Sequence, residues 1–130
     1  MLVFVSGPLG AEDQWEHNVA EACRLGDMLS ALGFAVFVPH AYVEWHRHSP
    51  ADYETWMARD LAVLRHCRGL VRLPGESPGA DREVEALRAR YDKDKERLWH
   101  PGLAKAPIIL ARGWTAVDLG RELIANEYKP

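Results

Sequence analysis

A chain of 130 residues falls in the usual single-domain range and can bury one sizeable core, so a second domain is not expected. Its 48% hydrophobic and 27% charged composition excludes disorder and fibrous bias. With 16 Lys+Arg against 19 Asp+Glu, a formal net charge of −3, nothing favours long nucleic acid or an anionic membrane, so any nucleic-acid-like ligand is expected to be small.

In chain order, the apolar start Met1 to Val5 lacks a cationic leader and meets Ser6-Gly7-Pro8 at once. It reads as a buried strand and not as a signal peptide or span, which makes a cytoplasmic location the expectation. Val19, Ala22, Cys23, Gly26 and Leu29 recur at helical spacing, and Gly33 stops that helix before a second strand over Phe34 to Val38. A second helix is expected with Ser49 as N-cap, Pro50 as first helical residue and Asp52 completing a capping box, then Tyr53, Trp56, Met57, Leu61 and Leu64 as the inward stripe. Cys23 and Cys67 lie in helical patterns without CxxC spacing, so they are expected as buried thiols of a reducing compartment. Leu70 to Leu73 reads as the third strand, and a helix follows from Ser77-Pro78 to about Tyr91. Asp92 to Leu103 reads as a charged tail and surface loop, Pro107 to Ala111 as a fourth strand, and Thr115 to about Ala125 as a last helix with Asp118 in its capping box. The alternation predicts an α/β domain with a Rossmann-like parallel sheet of four to five strands and helices on both faces.

In such a sheet, ligands bind beyond the carboxyl ends of the strands. Three segments converge there: Ser6-Gly7-Pro8-Leu9-Gly10, Pro39-His40, and Pro74 through Gly79. Ser6, Gly7, Gly10, His40, Ser77 and Gly79 are therefore the candidate binding residues. The last loop adds a helix N-terminus whose free N–H groups suit a phosphate or sugar oxygen. Asp60 falls in the middle of the stripe Tyr53, Trp56, Met57, Leu61 and Leu64, where a carboxylate must be paired, hydrogen-bonded or protonated. Glu83 stands about 60° from the centre of the Ala80, Val84, Leu87 face, as a partly exposed acid overlooking its own helix start, while Glu85 points to water.

Phe4-Val5-Ser6-Gly7-Pro8, Asn18, Asp60-Leu61 and Leu73-Pro74-Gly75 through Ser77-Pro78-Gly79-Ala80 to Glu83 together resemble the nucleoside 2-deoxyribosyltransferase-like family, which includes nucleoside 5′-monophosphate N-glycosidases. The resemblance runs from residue 2 to about 90. It implies a flavodoxin-like sheet, with Glu83 as the nucleophile that attacks C1′ of the sugar and Asp60 as the second acid. It further implies His40 as a pocket histidine, Ser77 and Gly79 as the cradle of a 5′-phosphate, no cofactor, and a homodimer or higher homo-oligomer. Phe4 departs from the pattern, standing where many members carry a tyrosine that reaches the active site, and Arg68 stands where an aspartate usually follows the cysteine.

Three other readings compete. His40, His46 and His48 raise a metal site, but His46 and His48 are expected in a polar loop with Arg47, without ligand spacing, so no metal is expected. A non-catalytic nucleotide-sensing module and a glycohydrolase that cleaves NAD remain as alternatives. Tyr42, Trp45 and Trp56 are able to stack on a base, with packing the expected role of Trp56.

Overall fold

The computed structural model describes residues 2–93 and 108–110. Their elements are β1 (Leu2–Ser6), α1 (Trp15–Ala31), β2 (Ala35–Phe37), α2 (Val43–His48), α3 (Tyr53–Leu64), β3 (Gly69–Arg72), α4 (Pro78–Lys93) and β4 (Ile108–Leu110). The expected last helix from Thr115 and the loop beyond residue 93 lie outside the described residues.

All strand pairs are parallel, in the order β2-β1-β3-β4. Register is fixed by alternation along β1 and β3. Val3, Val5 and Val71 face α1 with Ala22, Leu25 and Leu29 in one core cluster, whereas Phe4 and Leu70 face α3 and α4 with Leu64, Val84 and Leu87 in the other. A strand buried on both faces has no polar face to show, which is why β1 reads as an unbroken apolar run. Phe4, Leu29, Leu64, Leu70 and Leu87 are among the largest fully buried side chains, each contributing about 1.5–3 kcal/mol of burial.

Local chemistry sets the boundaries. Gly33 takes φ +97° just after α1 ends, a left-handed position that suits glycine. The start of α3 corrects the expected capping box: Asp52, not Ser49, is the N-cap, its carboxylate accepting from Thr55 N–H at 2.8 Å. Ser49 instead ends α2, which puts His46 and His48 on a helix and not in a polar loop. Cys67 is buried and its thiol donates to the Val63 carbonyl at 3.6 Å, while Cys23 is only partly buried. Among the described residues no helix is long and apolar enough to cross a membrane.

Candidate active site

The chain leaves β1 toward β2 on one side and reaches β3 on the other, so the loops after β1 and β3 diverge and open a crevice at the carboxyl ends of the strands. The first loop is held by side chains of α1: Asn18 donates to the Leu9 carbonyl at 2.8 Å and the Trp15 indole to the Gly10 carbonyl at 3.0 Å. Gly10 has φ +75°, a left-handed conformation that favours glycine at this bend. A cavity of about 680 Å³ fills the crevice. Gly7, Gly10, His40, Ser77 and Gly79 line it together with both acids, Asp60 and Glu83.

Ser6 is placed differently from the other candidates. It is 0% exposed and does not line the cavity; its hydroxyl lies 2.8 Å from Glu83 Oε1 and 3.4 Å from the Ala80 carbonyl. With one proton to give, Ser6 donates to a Glu83 carboxylate, or turns to Ala80 and accepts from Glu83 when that carboxyl is protonated. It positions the acid and does not touch the ligand space.

Glu83 is only 4% exposed, which corrects the expectation of a partly exposed acid: the rotation of α4 carries it under the end of β1. Burial, with the Asp60 charge adding to it, pushes its carboxyl up to about 8 against the opposing Ser6 hydrogen bond and Arg72 charge. Burial likewise raises Asp60 to about 6, opposed by the hydrogen bond the two acids share. Between those two values the pair holds a single proton. Asp60 Oδ1 is buried and has no hydrogen-bond partner among the described residues, an acceptor left for a ligand.

Arg72, which sequence reasoning passed over, supports this pair from behind. It is 3% exposed at the end of β3 and donates to the carbonyls of Leu73 and Gly75 and to Asp81 Oδ1 at 3.1 Å. It thereby pins the β3–α4 loop to the first turn of α4. The readable signal was an arginine inside an otherwise apolar strand run.

His40 is buried, its Nε2 lies 3.3 Å from the Pro8 carbonyl, and its Nδ1 has no partner among the described residues. Burial holds its pKa below the ordinary histidine value, so it is neutral at pH 7, donates through Nε2 and offers Nδ1 as an acceptor. Ser77 accepts from the Ala80 N–H at 3.1 Å and so caps α4, leaving its own O–H to donate into the cavity. Among the described residues no Lys or Arg lines the cavity, and the α4 N-terminus is the feature there that attracts an anion.

The far end of the cavity is aromatic. Trp56 corrects the expectation of a purely packing role: it lines the cavity beside Trp15 and Tyr42, while its ring also meets Tyr42 at 5.6 Å and Trp45 at 5.1 Å between centroids. Burial and the Asp60 charge push the Tyr42 phenol up, so it stays protonated. Phe4 does not line the cavity; it packs against Phe37 in the core at 5.6 Å between centroids. Among the described residues no group of three or more His, Cys, Asp or Glu is arranged to hold a metal ion.

No family model, no curated protein and no solved structure matches the chain. The chemistry of the site therefore carries the functional reading.

Proposed function

We propose that this protein cleaves the N-glycosidic bond of a nucleoside or nucleoside 5′-monophosphate, or transfers its glycosyl group, with Glu83 as nucleophile and Asp60 as acid and base. The observation that carries this reading is buried Glu83 beside partly buried Asp60 in the wall of a cavity of about 680 Å³ with aromatic residues at its far end. Glycosidic cleavage needs an anion below C1′ and a proton for the departing base, and a pair with one proton supplies both. The proton first passes from Glu83 to Asp60; the Glu83 carboxylate then bonds to C1′ as the C–N bond breaks, and Asp60 gives that proton to the base nitrogen that takes the electron pair. Asp60 then removes a proton from water, or from a second base, which displaces Glu83 from C1′.

The sheet order β2-β1-β3-β4 supports a flavodoxin-like fold of four to five strands. Exposed Trp45 and Tyr53 support a homodimer. A cytoplasmic location belongs to the same reading.

One observation favours a nucleotide-sensing module instead: the raised Glu83 holds its proton at neutral pH, and a protonated carboxyl recognises hydrogen-bond partners but does not attack. Incubation with nucleosides, nucleoside monophosphates and NAD, with released base detected chromatographically, separates the readings. Free base from a nucleoside or monophosphate, lost in Glu83→Gln, supports the proposal. Release of nicotinamide alone supports the NAD alternative, and tight binding without release supports the sensor.

A further inference from the structure

His46 is held in one tautomer by its neighbours. Its Nδ1 receives the Trp56 indole N–H at 2.8 Å and the Ala51 backbone N–H at 3.3 Å. A nitrogen that accepts two N–H groups carries no proton, so the ring hydrogen sits on Nε2. The ring lines the cavity at its aromatic end, edge-on to Trp15 at 5.7 Å and 79°. Nε2–H is therefore the polar edge that His46 has left to offer, and it is a donor. Turning the ring over to present an acceptor would forfeit both Nδ1 bonds and leave the Trp56 N–H without its acceptor.

We infer that His46 is a specificity-determining residue whose fixed Nε2–H selects a base carrying a carbonyl oxygen over its counterpart carrying an amino group at the same position. This rests on the proposed nucleoside site and names the class of base it takes. The aromatic walls accept any flat heterocycle on its π-face, so they cannot discriminate. A carbonyl completes the hydrogen bond to Nε2–H, whereas an amino group sets donor against donor and leaves both desolvated and unpaired. His40 Nδ1 is an acceptor and Asp60 is assigned to the base nitrogen, so neither repeats what His46 supplies at the exocyclic group.

Binding tests this with matched pairs, inosine against adenosine and uridine against cytidine, each also as its 5′-monophosphate, by calorimetry on the full chain. Wild type is expected to bind the oxo member of each pair at least about tenfold more tightly. In His46→Gln, whose terminal amide turns either its oxygen or its NH₂ to the ligand, the preference should fall to within about threefold. Trp56→Phe should also lower the ratio while His46 remains, because it removes an N–H that fixes Nδ1. Circular dichroism confirms that each variant is folded, and the wild-type ratio tests the inference even where a variant is not. Equal binding of the pairs by wild type, a preference for the amino member, or an unchanged ratio in folded His46→Gln overturns the inference and leaves the cleavage reading standing. Selective binding without release of free base overturns the cleavage reading alone. Binding of none of the four nucleosides and none of their 5′-monophosphates overturns both.

Discussion

Replacing Glu83 by glutamine removes a buried titration while keeping the shape of the side chain and its ability to accept from Ser6. In the wild-type fold the carboxyl keeps its proton up to about 8, whereas in the unfolded chain it loses it near the ordinary glutamate value of 4.5. Between those limits the native state binds the extra proton, so stability is full below 4.5 and is lost as pH rises toward about 8. At about 1.4 kcal/mol per tenfold change in proton affinity, the loss has a ceiling of about 5 kcal/mol. Asp60 adds its own loss between 3.8 and about 6, which glutamine at 83 does not remove. Glu83→Gln should thus match wild type within about 1 kcal/mol near pH 5 and exceed it by a few kcal/mol near pH 8.5. For a chain of this size that is about 10 °C in Tm. Urea denaturation and calorimetry at both pH values measure it, with exposed Glu85→Gln as a control expected to follow wild type throughout. The linkage is refuted if wild-type stability stays level between 4.5 and 8, or if Glu83→Gln is the less stable protein at the higher pH.

Turnover should be bell-shaped in pH, with kcat/KM highest between about 6 and about 8, where the pair holds one proton; a profile flat across that window refutes the shared role. Ser6→Ala removes the donor to the Glu83 carboxylate, so the alkaline value of the pair should rise further and kcat/KM near pH 7 should fall at least about tenfold, at a stability cost near 1 kcal/mol. Arg72→Met deletes the buried cation behind Glu83 and the clamp on the β3–α4 loop, with an expected loss of about 1–3 kcal/mol in denaturant unfolding, because two carbonyls lose their donor while exposed Asp81 turns to water. Ser77→Ala should weaken binding of a nucleoside monophosphate more than that of the nucleoside by calorimetry; equal losses remove the 5′-phosphate from the reading.

What this sequence determined alone is what local periodicity encodes. The four apolar runs mark strands to within a residue or two, because parallel strands covered on both faces are apolar along most of their length. Gly33 marks a helix end because few other residues adopt its positive φ, and Asp60 announces itself as a carboxylate inside an apolar stripe. The six residues of α2 give no such signal, since fewer than two turns carry no readable period, and Asp52 displaced Ser49 as the cap because either residue type serves. Only the tertiary structure decided the rest. An angle of 60° from a helix face is compatible with water or with burial, and the end of β1 settles it by covering Glu83. Ser6 and Glu83 stand 77 residues apart in the chain, and Trp56 reaches His46 across the turn between two helices. Parallel crossovers bring the carboxyl ends of β1 and β3 side by side, and that juxtaposition converts an ordinary strand-end serine, a helix-flank glutamate and a strand arginine into one buried, proton-sharing site, which no local pattern encodes.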